Sequence, residues 1–313
     1  MIPPFEEEAM RYAFWTVDVF TDRPFGGNPL AVFPYANGLT SEQMQLIARE
    51  FNLSETAFVL PPESPEQTFR LRIFTPAREL PFAGHPTVGA AHVLAASGRV
   101  TLTGATTRIV LGEDVGNVPV DLRAKDGRPD YARLTAAKLP EWGPEAPPSE
   151  VLAAMLSLSA EDVLDDEKDH AQSISCGVPF LFVPLASLDA VRRARLDWEW
   201  SSQYLRNHWT RQLYVFSREV ETPGSTLHAR AFTRAVGIEE DPATGSACSA
   251  LAGYLACRDG LADGAGKWRV EQGFEIGRPS FLDIEADGGP GGLSSVRVGG
   301  QSVVISEGHL VTP

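Results

Sequence analysis

The feature that most constrains what this chain can fold into is a motif written twice. His85-Pro86-Thr87-Val88-Gly89-Ala90-Ala91 and Asp241-Pro242-Ala243-Thr244-Gly245-Ser246-Ala247 each set a proline after a polar residue and then open an alanine-rich apolar run. That order is how a helix begins when its first turn must stay accessible. A helix start carries N–H groups with no partner in the helix, together with the positive end of the macrodipole, so it favours an anion without a lysine or arginine. Two such starts point to a site assembled from two halves.

The repetition extends upstream. Phe74-Thr75-Pro76-Ala77 lies eleven residues before His85, and Phe232-Thr233-Arg234-Ala235 lies nine before Asp241. Gly27-Asn28-Pro29-Leu30-Ala31-Val32-Phe33 is matched by Gly177-Val178-Pro179-Phe180-Leu181-Phe182-Val183 at comparable distances. Three landmarks in one order at near-constant spacing indicate a duplicated unit. With 313 residues there is room for two lobes, each with a core. The expected division is an N-terminal lobe over 11–130, open to completion by 302–313, and a C-terminal lobe over 131–301.

Within the first half, 12–20 and 30–33 read as strands around a Gly26-Gly27-Asn28-Pro29 turn, as do 56–60 and 69–74. Met44, Ile47, Ala48 and Phe51 follow helical spacing after a Thr40 or Ser41 cap, and a second helix runs from Pro86 to Ser97, ending at Gly98. The second half repeats this sense, with strands over 180–185, 212–216 and 227–233 and helices over 188–194 and 243–257. Short connections favour antiparallel or mixed sheets, and the two alanine-rich helices, apolar nearly all round, are expected to be buried and wrapped by them, an α+β arrangement. Pro140–Ser149 reads as a surface excursion and Gly288–Gly292 as a loop.

A net charge of −14 argues against a nucleic-acid or anionic-membrane partner and leaves a small substrate as the expected one. Cys176, Cys248 and Cys257 form neither a disulfide framework nor a metal-like spacing. No run approaches the roughly eighteen apolar residues of a membrane span. The acidic start Phe5-Glu6-Glu7-Glu8 is unlike a signal peptide, so a cytoplasmic setting is expected. The glycine clusters match no dinucleotide or P-loop fingerprint, and neither a cofactor nor a metal is implied.

Glu55, in Ser54-Glu55-Thr56, stands thirty positions before His85, and the matching place in the second half falls near Gln212, which is no carboxylate. An unpaired carboxylate in an otherwise paired site is what one general acid/base looks like, although a glutamate at a strand start also serves as a cap or an ion-pair member. Burial in a closed cleft would raise its pKa toward neutrality. His85 and Asp241, matched by the duplication, are candidates to face each other across the cleft as substrate contacts, and equally to act as helix N-caps, with Asp241 held as the anion by the helix start. Cys248 reads as a small buried residue rather than a nucleophile.

Val17-Asp18-Val19-Phe20, Gly27-Asn28-Pro29, Asn52-Leu53-Ser54-Glu55-Thr56, Glu79-Leu80-Pro81-Phe82-Ala83-Gly84-His85-Pro86-Thr87, Glu240-Asp241-Pro242-Ala243-Thr244-Gly245-Ser246-Ala247, and Gln272-Gly273 with Gly277-Arg278-Pro279-Ser280 together resemble the PhzF-like phenazine-biosynthesis family. The resemblance implies the diaminopimelate-epimerase-like fold, two pseudo-symmetric lobes that each wrap a mostly antiparallel sheet around a central helix, with the active site between them. It also implies a homodimer and a cofactor-independent isomerase. In that reading Glu55 is the proton-shuttling glutamate, His85, Asp241 and Ser246 are further active-site positions, and Ser246 with the backbone of Thr244, Gly245 and Gly84 holds a substrate carboxylate. The expected substrate is a small amino or hydroxy carboxylic acid. The cysteines of the related two-base epimerases are missing from both helix starts. An epimerase acting at one stereocentre and a non-catalytic metabolite-binding protein on the same scaffold are the rival readings.

Overall fold

Alternating aromatic and β-branched residues open the chain as β1 (Met10–Val19), which pairs antiparallel with β2 (Asn28–Phe33). The structure, a computed structural model, describes residues 10–261 and 264–312, so the acidic start Phe5–Glu8 lies outside the described residues. Helix α1 (Ser41–Phe51) follows, capped by a Thr40–Gln43 capping box and burying only Met44, Ile47 and Ala48, as its helical stripe requires. It carries the chain across to β3 (Glu55–Leu60), parallel to β2. Strands β4 (Phe69–Phe74) and β5 (Glu79–Leu80) add antiparallel pairs, α2 (Gly84–Ala96) follows, and β6 (Thr107–Glu113) returns parallel to β4. Antiparallel β7 (Gly116–Lys125) and β8 (Arg128–Thr135) complete the unit.

After β9 (Glu141–Trp142) and α3 (Ser149–Met155), the same pattern runs again. Strands β10 (Gln172–Ser175) and β11 (Pro179–Pro184) pair antiparallel, and α4 (Leu188–Arg193) with α5 (Trp198–Tyr204) bridges to β12 (Leu213–Ser217), parallel to β11. Next come β13 (Leu227–Phe232), β14 (Glu240–Asp241), α6 (Gly245–Asp259), β15 (Ala265–Gln272) parallel to β13, and the antiparallel β16 (Ser280–Gly289) and β17 (Gly292–Gly300). The pairing list of one unit is the pairing list of the other, which is the duplication in physical form. Strand β8 pairs with β17 to join the units, and β18 (Ser302–Thr312) pairs with β1.

This is the expected mixed α+β fold of two pseudo-symmetric lobes. Helices α2 and α6 are buried on nearly every face, because sequences this apolar have no side to give to water. Their side chains share one core with the inner faces of both sheets. On the outer faces, α1 packs over Phe33, Phe58 and Phe74, and α3 with α4 packs over Leu181, Val183 and Val215. The connections are longer than expected, because each of the four parallel pairs needs a helical crossover. The 140–149 stretch, read as a surface excursion, contributes β9, which pairs with β10. No helix among the described residues is long and apolar enough to cross a membrane.

Candidate active site

The two buried helices meet end to end. Gly84 and Gly245 are the first residues of α2 and α6, and a Cβ built on Gly84 would lie 2.6 Å from the Cα of Gly245. Only glycine at these two positions lets the helix starts touch. Both helices begin elsewhere than the sequence suggests: α2 starts two residues before Pro86, with Ala83 as N-cap, and α6 starts two residues after Ala243, with Thr244 as N-cap.

That shift re-pairs the duplicated residues. Thr56 faces Phe74 as Leu213 faces Phe232, so Glu55 corresponds to Gln212, as the spacing suggests. Leu80 faces Ile73 as Asp241 faces Ala231, so the counterpart of Asp241 is Leu80, and that of His85 is Ser246. The expected match of His85 with Asp241 is therefore out of register, and the underlying repeat is Leu80-Pro81-Phe82-Ala83-Gly84 against Asp241-Pro242-Ala243-Thr244-Gly245. Neither His85 nor Asp241 is an N-cap: His85 lies inside the first turn of α2, and Asp241 sits on β14.

Glu55, His85, Asp241, Gly84, Thr244, Gly245 and Ser246 all line one cavity of about 470 Å³. Glu55 opens β3, buried, with its Oε2 3.3 Å from His85 Nε2. The pair is not aligned as a hydrogen bond, and neither atom has another partner among the described residues. Burial, followed by the nearby charge of Asp241, raises the Glu55 carboxyl well above the usual carboxylate range. Burial alone lowers His85 to about 3, so its ring is neutral.

Asn28, quoted above within motifs but given no role at the site, joins the candidates to one another. Its side-chain N–H groups point to Asp241 Oδ1 at 2.7 Å, the Ala243 carbonyl at 3.0 Å and His85 Nδ1 at 3.1 Å, while its Oδ1 accepts from Ser54 Oγ at 3.0 Å. Asp241 Oδ2 accepts from Thr244 Oγ1 at 2.7 Å. Burial pushes Asp241 up to about 6 against the pull of Thr244 and Asn28, so these two side chains, rather than an N-cap position, hold its charged form.

Gln272 is the second residue whose role the sequence hides. Its amide donates to the Asp241 carbonyl at 2.7 Å and to Thr244 Oγ1 at 3.0 Å, and it accepts from the Thr244 N–H at 3.2 Å and from Tyr214 at 3.0 Å. The Thr244 N–H, expected to meet substrate, is thus committed, which leaves Gly84, Gly245 and Ser246 to offer N–H groups. Cys248 is buried against the Tyr214 hydroxyl, and burial pushes its thiol up to about 12, the behaviour of a packing residue. Phe82, Phe180 and Trp209 form apolar walls of the cavity, and the exposed Arg78 and Arg211 also line it.

The phenazine biosynthesis-like (PhzC-PhzF) family matches residues 17–308. An uncharacterised isomerase of Mesorhizobium japonicum is 42% identical over 94% of this chain and 96% of its own. Trans-2,3-dihydro-3-hydroxyanthranilate isomerase of Pseudomonas fluorescens is 35% identical over 94% and 98%. The crystal structure of a PhzF-family phenazine biosynthesis protein of Bacillus anthracis superposes with a TM-score of 0.85 at 26% identity, covering 96% of this chain and 99% of that one. This chain belongs to the PhzC-PhzF, phenazine biosynthesis-like family.

Proposed function

We propose that this protein is a cofactor-independent isomerase that moves a proton between two carbons of a small amino or hydroxy carboxylic acid, with Glu55 as the general acid/base. The observation that carries this reading is the buried carboxylate of Glu55, facing the cavity beside neutral His85, with Gln212, which is no acid, in the pseudo-symmetric place. A raised pKa makes its ionised form a strong base toward a carbon acid, and makes its neutral form persist long enough to return the proton elsewhere. The substrate carboxylate lies on the N–H groups of Gly84, Gly245 and Ser246 at the positive ends of both helices. His85 and Asp241 orient the remaining polar groups. Arg78 and Arg211 favour an anionic ligand in an otherwise acidic chain.

The relatives named trans-2,3-dihydro-3-hydroxyanthranilate isomerase make that compound the first substrate to try. An epimerase needs a second base on the opposite substrate face, and both oxygens of Asp241 are occupied by Asn28 and Thr244, which favours one base over two. By resemblance the reading includes a homodimer, which light scattering on the eluting protein checks.

The test is deuterium exchange followed by NMR, with that compound and a panel of small amino and hydroxy carboxylic acids in D₂O. Loss of a proton from one carbon with deuterium entry at another, abolished in Glu55→Gln, is the expected result. Exchange that persists in Glu55→Gln removes Glu55 from the chemistry, inversion at a single carbon turns the reading to an epimerase, and binding without exchange turns it to a metabolite-binding protein.

A further inference from the structure

Glu113 is a buried acid that the proposed chemistry does not use. It ends β6, and its counterpart in the second lobe follows from strand register: Arg70 faces Gly112 as His228 faces Glu271, so Glu113 corresponds to Gln272. Gln272 donates its amide proton to the Thr244 hydroxyl, which in turn donates to Asp241. On the first lobe the Thr87 hydroxyl lies 2.8 Å from the Ala83 carbonyl and 2.7 Å from Glu113 Oε1. A hydroxyl has one proton, and a carbonyl can only accept. With the Thr87 proton on the Ala83 carbonyl, the remaining 2.7 Å contact is a hydrogen bond only when Glu113 carries the second proton.

We propose that Glu113 remains a neutral carboxylic acid and acts as the first lobe's counterpart of Gln272, donating to Thr87 and so fixing the turn of α2 that presents Gly84 and His85 to the cavity. The acid thereby does the work of an amide. Its Oε2 is buried with no partner among the described residues, a state tolerable for the carbonyl oxygen of an acid and costly for a carboxylate. The charged groups facing it are Arg70, from β4, and Asp114, beside it in the chain. Arg70 is already engaged by the carbonyls of Leu71 and Gly112 and by Asp114 and Glu63. Burial pushes Glu113 up to about 8 against the pull of Arg70, which agrees with the proton count.

Its importance for catalysis rests on the isomerase reading, whereas its protonation does not, so the experiment uses no substrate. Infrared difference spectra are recorded between the full-length protein and Glu113→Gln, which preserves the donor, and a second pair compares the protein with Thr87→Val. A protonated-carboxyl band present at neutral pH, absent from Glu113→Gln, and lost as the pH passes about 8 is expected. Thr87→Val should move that band to higher frequency, because the acid loses its acceptor. Thermal melts provide the check by linkage. With a folded pKa above the unfolded one, stability present below the ordinary carboxylate range is lost as pH rises through about 8, and Glu113→Gln should lack that loss. No band at neutral pH, or a band that Thr87→Val leaves unmoved, overturns the assignment.

Discussion

Gly84 and Gly245 meet backbone to backbone. A Cβ on Gly84 would fall 2.6 Å from the Cα and carbonyl carbon of Gly245, and a Cβ on Gly245 would fall 3.0 Å from the Cα of Gly84. Because each residue begins a buried helix, this crossing brings two sets of unpartnered N–H groups and two positive helix ends to one point. The two halves of the repeat become one site there, and any side chain at the crossing is a wedge.

Gly84→Ala should therefore cost more than an ordinary helix substitution, although alanine is the better helix former. Overpacking of this kind costs about 1–3 kcal/mol. Gly245→Ala, with slightly more room, should cost less. Urea unfolding of both variants, alongside exchange rates with the substrate identified for the wild type, checks the order. Equal or improved stability for Gly84→Ala would show that the helices can part without penalty.

Asp241→Asn should shift the titration of Glu55 downward. The charge of Asp241 is the second cause, after burial, that raises Glu55, so removing it leaves a carboxyl elevated by burial alone. In a pH–rate profile the limb belonging to Glu55 moves to lower pH. Carbon-13 NMR of labelled glutamate carboxyls reads the same shift without turnover, and a Glu55 titration unchanged by Asp241→Asn contradicts the electrostatic link.

A second buried cluster sets an alkaline limit on stability. His228 Nδ1 lies 2.8 Å from Glu271 and its Nε2 2.8 Å from Glu275. Burial works against the imidazolium, but the two carboxylates override it and raise His228 to about 9. A folded pKa above the unfolded one means that this stabilisation is complete below about 6.5, the ordinary histidine value. It is lost as pH climbs through about 9. Melting temperature should fall across that window in the wild type and much less in His228→Gln, which starts lower. Parallel pH curves for the two proteins would remove the cluster from the account.

How much of this was legible in the sequence depends on the range over which each signal acts. Helix α1 is announced by Thr40, Gln43 and the Met44–Ile47–Ala48 stripe, all local, and it forms at the expected residues. All seven residues singled out for the site line one cavity, because motif order marks which segments converge. The match of His85 with Asp241 is five residues out of register, since alanine-rich helix starts resemble one another at several offsets. Strand pairing and the Gly84–Gly245 crossing decide between those offsets, and neither is written locally. Asp126-Gly127, with positive φ at both residues, was an available hairpin signal between β7 and β8. Asn28 and Gln272 stand within the quoted family motifs, but their roles are not local: Asn28 bonds Ala243, 215 residues away, and Gln272 bonds Tyr214, 58 residues away.

Asn28 also determines which nitrogen of His85 carries the proton. Two oxygens, Asp241 Oδ1 and the Ala243 carbonyl, face the nitrogen side of its amide, so the reversed orientation would set oxygen against oxygen. The amide nitrogen, with two hydrogens shared among three neighbours, offers His85 Nδ1 no acceptor, so the neutral ring holds its proton on Nε2, the atom facing Glu55 Oε2. Asn28→Ala should release that tautomer and leave Asp241 Oδ1 without its donor, raising the Asp241 pKa further, because Asn28 is one of the two groups that hold it down. The unsatisfied buried acceptor costs about 1–3 kcal/mol, and Asn28→Asp, which sets one carboxylate against another, should cost more. Nitrogen-15 NMR of the histidine rings shows the outcome directly: the wild type should report an Nε2–H tautomer at His85, and Asn28→Ala a mixture. A wild-type ring with its proton on Nδ1 would mean that Asn28 is reversed.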